Sequence, residues 1–201
     1  MPQFRRLYPL ALLLAAITLL GAAAPAAAED SLFAPFAAIT FGGDTQKKGA
    51  TFGFSTAFLE DSGWGGEFDL GYVTDFNDRD YESTSLVTAM VNLMVAPKLP
   101  WTKWVRPYGI AGVGLIRARG CSRPNCVTEF SRTDFGIDVG GGLLVPFNDI
   151  LGVRGDVRYF RYAQIHQDLP RASNGQFDFW RIAGGGVDLR SCIDNGDDAS
   201  D

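Results

Sequence analysis

The sequence predicts an all-β fold, an eight-stranded antiparallel transmembrane β-barrel built as an up-and-down meander. Eight stretches of strand length alternate apolar residues with small or polar ones, and the gaps between them are alternately short and longer. A secretory leader precedes them. Short turns at one end and long loops at the other are typical of outer-membrane barrels. The sheet has to close because every backbone group inside lipid needs a partner in a neighbouring strand.

The first segment, residues 1–28, has the parts of a signal peptide. A basic region is followed by an apolar core at 10–20 and by small residues up to Ala28. The core is shorter than the roughly 20 residues of a membrane-spanning helix. We therefore expect export and cleavage, with residues 29–189 forming the barrel domain and residues 190–201 an acidic periplasmic tail.

Charge and composition exclude several classes of protein. The 201 residues include 18 basic and 23 acidic ones, for a formal net charge of −5. An acidic chain without a basic stripe has no electrostatic footprint for nucleic acid. Beyond residue 28 no segment is uniformly apolar over a helix-spanning length, which excludes a helical membrane protein.

Eight segments reach the about 9–11 residues that a transmembrane strand needs. We predict them at 33–42, 50–59, 66–76, 85–96, 105–117, 133–146, 151–162 and 177–189. In the second segment Phe52, Phe54 and Phe58 share one face, because successive side chains of a strand point to opposite sides. The fourth is apolar on both faces apart from Thr88 and Asn92, and the registers of the fifth and the eighth stay open.

Aromatic residues gather at both ends of the predicted barrel. We expect periplasmic turns at 60–65, 97–104 and 147–150, and surface loops at 43–49, 77–84, 118–132 and 163–176. Trp64, Trp101, Trp104 and Phe147 lie near the turns, and Phe76, Tyr81, Tyr162 and Trp180 lie toward the loops. This distribution predicts the two interfacial girdles of a membrane barrel.

The polar faces of the strands combine glycine with charges of both signs. Such charges can pair in a narrow lumen, and glycine leaves room for their long side chains. The predicted lumen charge network consists of Glu67, Asp69, Asp138, Arg154, Asp156, Arg158 and Arg181. Every lysine lies in a turn or a loop (Lys47, Lys48, Lys98 and Lys103). A water-facing strand surface would carry some lysine, so a lipid-facing barrel is favoured over a soluble one.

The three cysteines fall on two sides of the predicted topology. Cys121 and Cys126 lie in the third loop, where export places them in an oxidising compartment and their spacing can close a small disulfide-bonded loop. Cys192 follows the last strand and lies on the opposite side of the membrane. Cysteines divided between compartments do not assemble a metal site, so we predict a Cys121–Cys126 disulfide and no metal.

Three strands resemble those of the OmpA-like outer-membrane β-barrel domain family. Residues 105–115 (VRPYGIAGVGL) are similar to its central strand, residues 155–162 (GDVRYFRY) to its penultimate strand and residues 179–189 (FWRIAGGGVDL) to its last. The resemblance implies an outer-membrane location, contact with outer-membrane lipid and insertion by the barrel-insertion machinery. It also implies adhesion or binding of an extracellular partner through the loops, rather than one shared chemistry. The family usually ends its last strand on an aromatic residue, whereas Leu189 stands there in this chain.

His166, in the fourth loop, is the candidate for catalysis. Barrel enzymes that modify lipid A are a precedent, some of them with a histidine close to a serine, but Ser173 is seven residues away. No pattern brings a nucleophile, a base and an orienting group together. We expect a non-enzymatic protein with no cofactor and with a structural or surface-interaction role. A lipid-modifying enzyme using His166 and a soluble periplasmic ligand-binding barrel are the alternatives. A general porin is disfavoured because side chains fill an eight-stranded lumen.

Overall fold

The computed structural model describes residues 30–43, 45, 48–74, 81–99, 104–122, 129–148, 150–162 and 177–191. They form eight strands: β1 (Asp30–Phe41), β2 (Gly49–Leu59), β3 (Trp64–Thr74), β4 (Tyr81–Val95), β5 (Arg106–Ser122), β6 (Glu129–Pro146), β7 (Leu151–Tyr162) and β8 (Asp178–Ser191). Within these ranges no helix is long and apolar enough to cross a membrane.

The sheet closes on itself. Each strand pairs antiparallel with the next, and β8 pairs with β1, so the strand order around the barrel is the order along the chain. This confirms the predicted fold class. We call the end that carries the β2–β3, β4–β5 and β6–β7 connections the turn end, and the opposite end the loop end.

The strand bounds follow the prediction to within three residues except at the start of β4, which begins at Tyr81 instead of residue 85, and around the third loop. β5 continues to Ser122 and β6 begins at Glu129, with Arg119 paired to Ser131 in the ladder. The sequence prediction ends the fifth strand at 117 and begins the sixth at 133, because the apolar alternation stops between these residues. Backbone pairing does not need apolar side chains, so the hairpin extends past the apolar band.

Alternate residues of each strand point out of the barrel and into it. The outward positions hold large apolar side chains that are exposed, such as Phe52 (58%) and Val139 (54%). The inward positions are buried, and in the fourth segment they include its two polar residues, Thr88 and Asn92. In β5 the buried alternate residues begin at Tyr108. An apolar exterior around a buried interior is the arrangement of a sheet that faces lipid.

Two apolar clusters fill the ends of the interior. The turn-end cluster consists of Leu32, Ala34, Ala57, Leu59, Met94, Ala96, Tyr108, Ile110, Leu144 and Val187. The loop-end cluster consists of Val73, Leu86, Met90, Ile116, Phe160, Tyr162 and Phe179. Because their members come from strands all round the wall, the side chains pack across the lumen at both ends.

One residue of the predicted aromatic girdle points the other way. Tyr162 is buried in the lumen, where its ring packs edge-on against Phe177 at 5.1 Å. Tyr159, an outward residue of the same strand, packs its ring at a tilt against Trp180 with the centroids 5.1 Å apart, and the Tyr159 hydroxyl donates to Asp178. Strand alternation decides the direction of Tyr162, since it lies two residues after the inward Phe160.

The seam between β1 and β8 contains a gap in the ladder. Pairing stops after Phe33↔Asp188 and resumes in the same register at Ala37↔Gly184. Pro35 lies in this interval, and proline has no N–H to donate to a ladder. The closing strand pair therefore has fewer backbone hydrogen bonds than its length allows.

Candidate functional site

A layer of charged side chains occupies the middle of the lumen, between the two apolar clusters. We call it the charge layer, and its members are Glu67, Asp69, Asp138, Arg154, Asp156, Arg158 and Arg181. All are at most 7% exposed. They come from β3, β6, β7 and β8. The structure thus brings together every residue of the predicted lumen network.

Arg158 is the hub of this layer. Its Nη2 lies 2.7 Å from Glu67 Oε1, and its Nε donates to Asp156 Oδ1 at 3.0 Å. Its Nη1 lies 3.3 Å from Asp69 Oδ2 and 3.8 Å from Asp138 Oδ2. One guanidinium therefore faces four carboxylates, which its planar fork of five N–H donors allows.

Arg181 forms the most regular ion pair. Its Nη1 and Nη2 donate to the two oxygens of Asp69 at 2.9 and 2.7 Å, a bidentate arrangement. Its guanidinium carbon lies 4.6 Å from the centre of the Phe36 ring and 4.9 Å from that of Phe160. The stacked Phe160 and Phe179 rings connect this cation to the loop-end cluster.

Arg154 fixes the side of the layer that faces the turn end. Its Nη2 lies 2.6 Å from Glu67 Oε2, and its Nη1 donates to Ser55 Oγ at 3.1 Å. Its Nε donates to the Tyr108 hydroxyl at 2.6 Å, and that hydroxyl donates to Asp156 Oδ2 at 2.9 Å. Tyr108 therefore relays a hydrogen bond between a cation and an anion inside the lumen.

The sequence prediction missed three polar partners of the layer: Ser55, Tyr108 and Asn92. Tyr108 lies on β5, whose register the sequence leaves open. Asn92, with its amide nitrogen oriented toward Asp138, donates to Oδ1 at 2.7 Å and accepts from Arg158 Nη1 at 3.2 Å. The signal for Asn92 is its position as a polar residue within an otherwise apolar segment.

Two inward glycines provide the space that the arginines occupy. A Cβ on Gly71 would lie 2.9 Å from Arg181 Nη1 and 2.7 Å from Thr88 Oγ1. A Cβ on Gly140 would lie 2.9 Å from both the Cα and the Cγ of Arg158. These contacts are shorter than carbon and its neighbours tolerate, so any larger residue would displace the charged side chains.

The charge layer binds its own members rather than a substrate. Of the described residues, four buried carboxylates face three buried guanidinium groups in it, and their closest polar contacts are with one another. Within the described part of the chain no group of three or more His, Cys, Asp and Glu could hold a metal ion. Buried charge of this kind survives through pairing and hydrogen bonding.

The remaining candidate residues lie outside what the structure describes. His166 and the fourth loop fall in 163–176, Cys126 falls in 123–128, and Cys192 belongs to the tail from 192. The backbone of Cys121 lies near the end of β5, paired with Glu129. The catalytic alternative and the disulfide therefore stay predictions, as do the leader and the tail.

Comparisons with known proteins agree on the architecture. Residues 12–186 match the family described as outer membrane protein beta-barrel domain. A search of curated protein sequences finds no match.

Three solved structures share this barrel, at identities that establish the fold alone. Neisserial surface protein A has a TM-score of 0.59 and 13% identity, covering 80% of this chain and 95% of its own. Ail of Yersinia pestis, in complex with the heparin analogue sucrose octasulfate, has a TM-score of 0.50 and 13% identity, covering 80% and 99%. The outer membrane enzyme PagL has a TM-score of 0.52 and 15% identity, covering 76% and 97%.

Proposed function

Because the chain belongs to the outer membrane protein beta-barrel domain family, we propose that it is a non-enzymatic outer-membrane anchor that acts through its surface loops. The family places it in the outer membrane, as predicted. This location and the exposed apolar exterior rule out the soluble periplasmic barrel. In the proposed orientation the loop end faces the outside, since the described chain begins and ends at the turn end.

The filled lumen is the observation that carries this proposal. Apolar side chains close both ends, and the charge layer occupies the middle with its members at most 7% exposed. A solute has no water-filled path through such a barrel, which argues against a diffusion channel. Contact with molecules outside the cell is then left to the loops and the rim at the loop end.

The similarity to Ail supports one class of partner for the first test. That protein has been solved with a heparin analogue, a highly sulfated sugar. We propose an anionic saccharide as the extracellular partner, bound through the loops 123–128 and 163–176. Both loop segments contain an arginine that can pair with a sulfate or carboxylate, Arg123 in the first and Arg171 in the second, where Asp168 balances its charge.

Loop replacement on an intact barrel tests this function. The variant carries Gly-Ser segments of the same length in place of 123–128 and 163–176, and both proteins are expressed in the outer membrane. Cells with the wild-type protein should attach to a heparin-coated surface, and cells with the variant should lose that attachment. The control is equal surface exposure and equal heat-modifiable gel mobility of the two proteins.

Two results would overturn the proposal and point to other functions. Permeation of small sugars into vesicles containing the pure protein would show an open lumen. Release of fatty acids from lipid A by the wild type, abolished in His166→Ala, would establish the enzymatic alternative. Unchanged attachment of the loop variant would exclude the loops as the binding surface.

A further inference from the structure

We propose that the outward face of the β5–β6 hairpin binds the phosphate groups of an outer-leaflet lipid through Arg117 and Arg119. Both side chains are exposed and point away from the lumen, since they alternate with the inward Ile116 and Ala118. We call Arg117, Arg119 and Ser131 the rim site. The assignment of the leaflet rests on the orientation proposed above, whereas the binding chemistry does not.

The exterior changes character next to the rim site. Along β5 the outward residues Val113 and Leu115 are apolar, and Arg117 and Arg119 follow them directly on the same face. On β6, Val113 pairs with Ile137 and Leu115 pairs with Phe135, so the apolar residues face apolar partners. Arg117 pairs with Thr133 and Arg119 pairs with Ser131, so the arginines face polar partners.

The same change occurs on the other side of β5. Leu115 pairs with Ala89 of β4, Arg117 with Val87 and Arg119 with Ser85. Three neighbouring strands thus pass from apolar to polar outward residues within about two ladder positions. A boundary of this kind marks the depth at which the hydrocarbon of a bilayer meets its headgroups.

The geometry of the two arginines suits neighbouring phosphates on one headgroup. Residues two apart on one face of a strand are separated by roughly 6–7 Å. Arg117 is held in place because its Nε and Nη2 both donate to Ser131 Oγ, at 3.2 and 3.1 Å. The remaining guanidinium donors of Arg117 point away from that hydroxyl, and guanidinium groups pair with phosphate oxygens in a bidentate manner.

Local charge favours an anion at the rim site, because its two arginines outnumber the one acidic residue at a neighbouring position of the same strand parity, Glu129, two residues before Ser131 on β6. The ladder partners of the arginines (Val87, Ser85, Thr133 and Ser131) are uncharged. The apolar residues directly below favour a lipid over a soluble anion. A ligand that contacts both the arginines and Leu115 with Phe135 must carry phosphate and acyl chains in one molecule. A phosphorylated glycolipid of the outer leaflet has this chemistry.

Native mass spectrometry of the full mature protein folded in detergent tests the proposal, with bis-phosphorylated lipid A as the probe. Near a membrane surface each basic side chain contributes about 1 kcal/mol toward an anionic lipid. Loss of two should therefore weaken binding about 30-fold in the double variant Arg117→Gln/Arg119→Gln. Lys98→Gln, which removes an exposed cation at the turn end, is the matched control and should bind like the wild type.

A second variant separates charge from folding. Arg117→Lys/Arg119→Lys keeps both cations and should retain most of the binding, even if the glutamine variant folds poorly. Dephosphorylated lipid A should bind the wild type as weakly as lipid A binds the glutamine variant.

Three results would overturn the assignment to lipid. Equal binding of lipid A by wild type and the glutamine variant would exclude the rim site. An equal loss in Lys98→Gln would show an effect of net charge alone. Displacement of lipid A by an equal concentration of sucrose octasulfate or inorganic phosphate would identify a soluble anion as the ligand. None of these outcomes depends on the loops 123–128 and 163–176, so this proposal and the proposed function fail separately.

Discussion

Replacing Arg158 with methionine removes the hub of the charge layer while keeping an unbranched side chain of similar length. The structure shows which carboxylates lose their partner. Glu67 keeps Arg154 at 2.6 Å, and Asp69 keeps its bidentate pair with Arg181. Asp138 is different, because among the described residues its one ion pair is with the Arg158 guanidinium at 3.8 Å, and Asn92 is then its remaining partner.

The expected cost follows from that imbalance. The buried layer goes from four carboxylates and three guanidinium groups to four and two. Leaving a buried charge without its partner typically costs 3–5 kcal/mol, so we expect Arg158→Met to lower the free energy of unfolding by about 4 kcal/mol. Glu67 and Asp69 should contribute little to this loss, since each retains another arginine.

Neutralising Asp138 in the same protein should restore part of the stability. Asp138→Asn keeps the shape of the side chain and its contact with Asn92, and returns the layer to an excess of one negative charge. A double-mutant cycle should therefore give a coupling of about 1–3 kcal/mol between the two substitutions. Asp138→Asn alone should cost less than Arg158→Met, because Arg158 keeps three other carboxylates and no buried charge loses its partner.

Urea unfolding in phospholipid vesicles, followed by tryptophan fluorescence, measures these free energies by linear extrapolation. Lys98→Met is the control, because it also replaces a cation with methionine, but at an exposed position outside the lumen. Equal losses for Arg158→Met and Lys98→Met would show that the charge layer does not hold the barrel together. Additive effects of Arg158→Met and Asp138→Asn would show that Asp138 does not depend on Arg158.

Three further substitutions test the interior, the exterior and the third loop. Gly71→Ala should cost about 1–3 kcal/mol through overpacking, whereas Gly186→Ala, whose Cβ would meet nothing within 4 Å, should cost under about 1 kcal/mol in the same urea assay. Val139→Arg should cost roughly 2–4 kcal/mol if it lies at the bilayer midplane, and an unchanged unfolding midpoint would mean that its neighbourhood is not lipid. Peptide mapping of the oxidised protein should find Cys121 joined to Cys126, and its reduction should leave the barrel folded, because so short a loop contributes less than the about 3 kcal/mol of a 15-residue one.

In strands that have one polar face, the alternation of the sequence predicts which side chains point into the barrel and which point out. In β7 it separates Arg154, Asp156 and Arg158 from their outward neighbours, and it also indicates the direction of Tyr162. The aromatic-girdle prediction for Tyr162 was wrong because it used distance from the loop instead of strand parity. In β4 both faces are apolar apart from Thr88 and Asn92, so these two residues are the sequence signal for the inward face, and pairing with β3 and β5 fixes the register.

The sequence predicts which residues belong to the charge layer better than it predicts which of them contact one another. Its ionisable members lie on polar faces that alternation identifies one strand at a time. The contacts join strands that are far apart in the chain, such as Arg181 with Asp69 or Arg154 with Ser55. They depend on the register of every strand between them, and a one-residue slip would turn a side chain to the other face.

The charge layer and the gap at Pro35 concern the same closing strand. β8 completes the wall against β1, but the ladder there loses its pairs between Phe33↔Asp188 and Ala37↔Gly184. Arg181 lies on β8 beyond the gap, where it pairs with Thr40, and it reaches across the lumen to Asp69 of β3. Its guanidinium carbon lies 4.6 Å from the ring of Phe36, which is in the gap on β1. Charge-assisted hydrogen bonds are roughly twice as strong as neutral ones, and the pair of Arg181 with Asp69 is shielded from water. The closing strand is thus held by a cross-lumen ion pair in addition to its interrupted backbone pairing with β1.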